Sequence, residues 1–391
     1  MPPVGYRLWP LLAHSVLIQA TTFLLRPAGS YQALAIQAPA SLLGLIGAGF
    51  ALVPVLLALP VGRLVNRLGE RRLMLAGSLV TVAASLVFLF GSGSMIGLLL
   101  ANAILGAGHL SCVISHQALV ASGSAASRLD TMFGYYTFSA SLGQAVGPLL
   151  ISTLAGSAVQ PETARMFLAG TVMSAALVLL AGFTVPAAAG PGRSLALGGD
   201  AGRITQLLRT PGLLRALATS AVIVSAVDLI VVYLPAFGAE RGLSAGLVGV
   251  LLTVRALFSM ASRVLLGRMS SAFGRTRLMV ASILVSAAAL GAVTVPMPVW
   301  GLLIVLAAMG LGLGIGQPLT ISWLIEQTPP RQRGVALSLR LAGNRIGQLS
   351  VPSVMGLLAA GLGAAGVLTA TALAVASTLL LLRGVRLERS E

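Results

Sequence analysis

Gly134-Tyr-Tyr-Thr-Phe-Ser-Ala-Ser-Leu-Gly143-Gln-Ala-Val-Gly147-Pro148 is an apolar stretch whose three glycines return, at identical intervals, as Gly334, Gly343 and Gly347. On a helix, Ser139, Gly143 and Gly147 share one face. Such a stripe lets a second backbone approach closely where helices associate by packing rather than by a hydrophobic drive. Pro148 has no N–H for the carbonyl of Gln144, so the helix is weakened where it should bend. With 46 glycines in 391 residues, a single stripe of this kind is unremarkable. A second copy in register predicts a duplicated chain of two halves. Gly143 and Gly147 are expected to abut a helix of the opposite half in at least one state, where added bulk would hold the backbones apart.

Working outward, 57% of the residues are hydrophobic and 9% charged, a balance that excludes a soluble domain of this length and predicts an all-α membrane protein. The net charge of +16 comes from 25 basic residues, all arginine, that fall between apolar segments rather than along one face, so they read as topology signals and nucleic acid is not an expected partner. The single cysteine, Cys112, excludes an internal disulfide and a cysteine-based metal site. His14, His109 and His116 look too few and too dispersed for a metal site, and no cofactor is expected.

Apolar windows long enough for a core of about 30 Å fall near 8–25, 41–61, 72–90, 95–121, 132–155 and 164–186, then near 213–237, 245–267, 277–296, 299–325, 334–359 and 363–382. That divides the chain into six-helix bundles at 1–186 and 213–391, joined by a Pro- and Gly-rich linker over 187–212. Arg7 before the first span and Ala33-Leu-Ala35 after it imitate a cleaved leader, but eleven further spans favour retention. Placing the N-terminus in the cytoplasm puts 19 arginines on that side and three, Arg26, Arg165 and Arg241, on the other. Both termini are therefore expected to be cytoplasmic, in an inner (plasma) membrane of bacterial type.

A second motif stands between the second and third spans: Gly62, then Asn66-Arg67, Gly69, and Glu70-Arg71-Arg72. Gly69 suits a sharp turn, and the arginines can hold helix ends through carboxylates and carbonyls. The alternative is a plain positive-inside loop. After the eighth span, Gly267 and Gly274 keep the same interval without an acid-arginine pair.

Together these stretches resemble the major facilitator superfamily. The loop is similar to its most widespread motif, with Asn66 where the family carries aspartate. The fifth span resembles the motif of its drug/proton antiporter branch, although Ile151 and Ser152 replace two further glycines of the pattern. The resemblance implies twelve transmembrane helices in two pseudo-symmetric six-helix bundles, with helices 1, 4, 7 and 10 lining a cavity and 3, 6, 9 and 12 facing lipid. In this chain the latter four carry no histidine, asparagine or glutamine, and no charge beyond a terminal arginine. Gly62, Asn66, Arg67, Gly69, Arg71, Gly134, Gly143, Gly147 and Pro148 are then gating residues.

Polar residues inside the spans are the candidates for a pathway: His14, Gln19, His109, Asp228, Arg255, Gln317, Arg340, Asn344 and Arg345, with His116, Gln117, Gln144 and Gln348 nearby in sequence. Asp228 and Arg255 each lie about 15 Å from the outer end of a span. A lone charge at such depth costs about 2.5–3.5 kcal/mol, so these residues need partners or a watery cavity. A static Asp228–Arg255 ion pair is one answer; a proton-carrying carboxylate beside substrate-binding arginines is the other. No nucleotide-binding loop exists, since the chain has no lysine. The expectation is a proton-coupled secondary transporter, not an enzyme, acting as a monomer in efflux of a small anionic or zwitterionic organic molecule or drug, because guanidinium forks suit carboxylate and phosphate. Proton-coupled uptake of an organic anion and a non-transporting sensor on the same fold are the alternatives.

Overall fold

The computed structural model describes residues 8–123, 129–184, 209–210, 212–328, 333–359 and 361–382. Side chains at 40–41, 58–63, 65–67, 122–123, 129–130, 325–326, 333–335, 337–338 and 358–359 lie outside that description. The described residues form twelve helices and no strand: α1 Leu8–Ala35, α2 Ala40–Leu68, α3 Glu70–Gly91, α4 Met95–Gly123, α5 Leu129–Ala155 and α6 Ala164–Phe183, then α7 Leu213–Glu240, α8 Ala245–Phe273, α9 Arg275–Ala292, α10 Val299–Glu326, α11 Arg333–Ala359 and α12 Gly363–Leu381. With no water in the hydrocarbon to satisfy a backbone N–H or C=O, helices are the form such apolar segments take.

Among the described residues, ten helices are long and apolar enough to cross a membrane. In α2 the apolar run found is Leu42–Leu57, and in α11 the sequence Arg340, Asn344, Arg345, Gln348 interrupts the apolar character. At about 1.5 Å per residue, α11 is still long enough to span the hydrocarbon.

Two one-residue turns show the duplication in backbone geometry. Gly69, between α2 and α3, has φ 81 and ψ 157; Gly274, between α8 and α9, has φ 77 and ψ 148. Positive φ with extended ψ is open essentially to glycine alone. The sharp turn expected at Gly69 is present, and its counterpart has the same shape.

The chain forms two compact units. Unit 1 holds residues 1–38, 49–195 and 244–249; unit 2 holds 39–48, 196–243 and 250–391. In unit 1, α1 packs on α4, α5 and α6, and α3 packs on α4 and α6. Unit 2 repeats these pairings one for one: α7 packs on α10, α11 and α12, and α9 on α10 and α12. The first turn of α8 belongs to unit 1, where Gly246 N donates to Gly156 O.

Most of α7 from Asp228 to Gly238 is buried, as is α1 from Ile18 to Tyr31. By contrast α3, α6, α9 and α12 leave large apolar side chains uncovered, among them Phe90, Leu179, Leu284 and Leu373. Three buried hydroxyls of α3 are satisfied within their own helix: Ser78, Thr81 and Ser85 each donate to the carbonyl four residues back, and Ser85 also meets Ser174 of α6 at 2.7 Å.

Three expectations need correction here. The first helix was expected to end near residue 25 and runs to Ala35, so Arg26 is no loop residue. It lies buried inside α1, 4.3 Å above the ring of Phe50. Arg263, counted with the cytoplasmic arginines, lies within α8 and bonds to α10. The histidines are not dispersed: His14 and His116 touch. The expected linker lies mostly outside the described residues, as do Arg7 and the arginines beyond Leu382.

Candidate functional site

The charged cluster belongs to unit 2. Asp228 sits on α7 at 6% exposure, and its Oδ2 accepts a hydrogen bond of 2.5 Å from Gln348 Nε2 on α11. One turn earlier on α11, Arg345 Nη1 donates to the Oε1 of the same amide at 3.1 Å. Gln348 thus stands between cation and carboxylate, its N–H facing the acid and its C=O facing the guanidinium. An amide suits that position because its two ends have opposite polarity. Asn344 is fixed by Ser220 of α7, whose hydroxyl donates to Oδ1 at 2.9 Å.

A second group of arginines gathers on α10. Gln317 accepts Arg263 Nη2 on its side-chain oxygen at 3.4 Å and Arg340 Nη2 on its main-chain oxygen at 3.3 Å. Arg340 also reaches the hydroxyl of Thr320 at 3.4 Å, while its Nε meets no hydrogen-bond partner among the described residues. Two guanidiniums held by one glutamine, through long neutral bonds, form a place of positive potential.

Arg255 of α8 is the most enclosed of these cations, at 1% exposure. Its Nε and Nη2 have no hydrogen-bond partner among the described residues. It is placed there by backbone packing: a Cβ added at Gly310 of α10 would stand 2.2 Å from the Arg255 carbonyl, and one at Gly314 would meet Ser259. Asp228 meets the amide of Gln348, which also joins it to Arg345, so the surroundings of the carboxylate include more than Arg255. Leaving polar nitrogens of a buried cation unmatched is costly unless a further anion completes the site.

Unit 1 holds His14, Gln19 and His109. His14 Nε2 lies 2.9 Å from Ser78 Oγ, and His14 Nδ1 lies 2.8 Å from His116 Nε2. His109 packs against the ring of Phe50, the ring that Arg26 covers. Gln19 lies beneath the glycine stripe, where a Cβ on Gly143 would come within 2.7 Å of its own Cβ.

In this structure the stripe packs within its own unit. Gly143 faces the Val16 carbonyl and Gly147 the Ala20 carbonyl and Phe23, all on α1 of the same unit. In the second copy, Gly347 faces Ala221 and Ser225 of α7, whereas Gly343 has nothing within 4 Å. Gly134 is likewise open, and Pro148 lies inside α5. Gly62 and the side chains of Asn66 and Arg67 lie outside the described residues. Arg71 does hold a helix end: its Nη2 donates to the Gly182 carbonyl at 2.7 Å, in the last turn of α6.

Four contributors escaped the list of candidates drawn from sequence. Gln348 was one polar residue among several on its helix, though its spacing of three from Arg345 was a legible signal. Arg263 was absorbed into a charge count, Arg26 into a loop. His116 was noted as polar, and its meeting with His14 depends on which faces of α1 and α4 pack together.

The profile of the Major Facilitator Superfamily matches residues 11–247 and again residues 228–391. No curated protein matches the chain by sequence. Among solved structures, a D-xylose–proton symporter is similar over 97% of this chain and 98% of its own, at 16% identity and TM-score 0.77. The nucleoside transporter NupG is similar over 96% of this chain and all (100%) of its own, at 14% identity and TM-score 0.75. A bacterial homologue of the human lysosomal transporter Spinster is similar over 98% of both chains, at 17% identity and TM-score 0.71. At these identities the likeness carries the fold alone.

Proposed function

Because this chain belongs to the major facilitator superfamily, we propose that it is a proton-coupled secondary transporter that exports a small anionic or zwitterionic organic molecule. The observation that carries the substrate class is Arg255, buried to 1% exposure with two guanidinium nitrogens unmatched among the described residues. A carboxylate or phosphate supplies the acceptors that those nitrogens lack. In this reading residues 1–186 and 213–391 are the moving bundles, 187–212 link them, both termini are cytoplasmic, and the monomer is the working unit in an inner membrane. Export is the direction favoured by the antiporter-like stretch from Gly134 to Pro148.

Coupling follows from the bridge at Gln348. With no substrate, the positive end of Arg345 reaches Asp228 through the amide, and the carboxylate stays charged. A substrate anion that competes with Asp228 for Arg255 and Arg345 draws the positive charge away from the carboxylate. A carboxylate in an apolar wall without a cation takes up a proton. Proton and substrate therefore exchange places on the arginines.

The test uses purified protein in proteoliposomes, after a thermal-shift screen of organic anions has identified a stabilising substrate. Asp228→Asn is expected to keep substrate exchange and to lose gradient-driven accumulation. Full gradient-driven transport by the Asp228→Asn, Arg255→Met double variant overturns Asp228 as the proton carrier. Accumulation with the proton gradient's own direction identifies uptake, and no exchange with any stabilising anion identifies a sensor.

A further inference from the structure

Unit 1 contains a hydrogen-bonded chain in which every proton can be placed. Ser78 Oγ donates its one hydrogen to the Met74 carbonyl at 2.8 Å. It therefore offers only lone pairs to His14 Nε2, 2.9 Å away, and that nitrogen must carry a hydrogen. A neutral imidazole has a single N–H, so His14 Nδ1 is an acceptor and His116 Nε2, 2.8 Å from it, is the donor. What remains is the lone pair on His116 Nδ1, fully buried and without a hydrogen-bond partner among the described residues. The opposite order would take the serine hydrogen from Met74 and leave an N–H at the unpartnered end, the rarer kind of orphan in folded proteins.

We propose that the His14–His116 pair is a second proton-binding site of this protein, loaded at His116 Nδ1 and separate from Asp228. In the loading step a hydronium O–H bond breaks, an N–H bond forms at His116 Nδ1, and water departs. The pair passes from neutral to a single positive charge, shared across the N–H···N contact between the rings. The chain ends at the Met74 carbonyl, which cannot take a proton onward, so the pair stores a proton instead of conducting it. A second proton meets like charge at hydrogen-bond distance and is refused.

The residues around the pair come from several helices. From α4 itself Cys112 and His109 lie nearby, and from α5 Tyr136 sets its ring 5.8 Å from His116. Around them α3 gives Ser78 and Met74, α6 gives Leu177 and Ala181, and α1 gives Leu11, Leu17 and Ile18. His116 lies about 10 Å from the inner end of α4, so loading requires the seam around it to admit water and belongs to the conformational cycle. This inference does not depend on Asp228 and stands if that residue proves structural.

The chain has three histidines, so nitrogen-15 histidine spectra of the protein in nanodiscs can be assigned with single His→Gln variants. At about pH 8 both His14 and His116 should show the Nε2–H tautomer, and as the pH is lowered His116 Nδ1 should gain a hydrogen before His14 changes. His116→Gln keeps an N–H for His14 and removes the basic lone pair. In a pH jump it should bind one proton fewer per chain than the parent, whereas Asp228→Asn should retain that proton. The proposal is overturned if His116 carries its hydrogen on Nδ1 at the alkaline end, or if both rings stay neutral across the range. Should His116→Gln fail to fold, the spectra of the unaltered protein decide by themselves.

Discussion

Units 1 and 2 share a scaffold and differ in the chemistry at its centre. Helix α1 packs on α4, α5 and α6 as α7 packs on α10, α11 and α12, and Gly143 and Gly147 of α5 rest on α1 as Gly347 of α11 rests on α7. Against that common frame, α5 carries Gln144, Ala145 and Pro148 where α11 carries Asn344, Arg345 and Gln348. Unit 1 puts two imidazoles and a hydroxyl at its polar centre; unit 2 puts guanidiniums, amides and a carboxylate there. The scaffold repeats because close backbone packing tolerates few side chains. The polar positions diverged because their neighbours satisfy them one at a time, and the divergence centres one half on imidazoles and the other on guanidiniums and a carboxylate.

The comparison breaks most severely at the stripe. Leucine at Gly143 would place its Cβ 2.2 Å from the Val16 carbonyl, and at Gly147 2.6 Å from that of Ala20. Backbone cannot yield as a side chain can, so the cost should exceed the usual 1–3 kcal/mol of overpacking, a range typical for cores in general (about that order). Gly143→Leu and Gly147→Leu should fail to give monodisperse protein by size exclusion. Gly347→Leu, which meets Ala221 Cβ at 2.8 Å and its carbonyl at 3.2 Å, should fold with a lower melting temperature, and Gly343→Leu should be indistinguishable from the parent. Equal behaviour of Gly143→Leu and Gly343→Leu would show that the α1–α5 seam is not as described.

Arg255 sharpens the charged half of the comparison, because structure and function predict opposite signs for it. Replacement by methionine keeps the length and removes a buried cation with unmatched nitrogens, a change that is often neutral or stabilising by about 1–4 kcal/mol. Transport of an organic anion should meanwhile fall at least about tenfold, or ~1.4 kcal/mol. A melting temperature that rises while transport is lost supports an anion-binding guanidinium. A large fall in melting temperature marks Arg255 as a packing residue and removes the main support for an anionic substrate.

The helices and the duplication were legible because both rest on local features, apolar run length and glycine spacing. The turn at Gly69 was readable for the same reason, since its φ of 81 excludes almost every other residue. What sequence could not supply was the identity of partners. The stripe at Gly143 looks the same whether it rests on α1 or on a helix of the other half. Arg26 was placed outside the membrane because Arg26-Pro27 resembles the end of an apolar segment, yet Pro27 lies inside a continuous α1. The link from Arg345 to Asp228 needed a third residue, Gln348, whose orientation comes from packing of α7 on α11.

The finest test of the duplicated scaffold lies at its two glycine turns. Gly69 and Gly274 differ by 4° in φ and 9° in ψ, taking 81 against 77 and 157 against 148. An added Cβ at Gly69 meets nothing within 4 Å among the described residues, so the penalty for a side chain there is conformational. Alanine at either position should cost about 1–3 kcal/mol, read as a drop in melting temperature with insertion unchanged. Asparagine should bring no relief, because its tolerance of positive φ applies to the left-handed helical region with ψ near +47°, not to extended ψ. If Gly69→Ala and Gly274→Ala lower the melting temperature by similar amounts, the turns are equivalent in energy as well as shape. If Gly69→Asn is tolerated where Gly69→Ala is not, the turn is left-handed helical in solution and the match between the two halves ends at that loop.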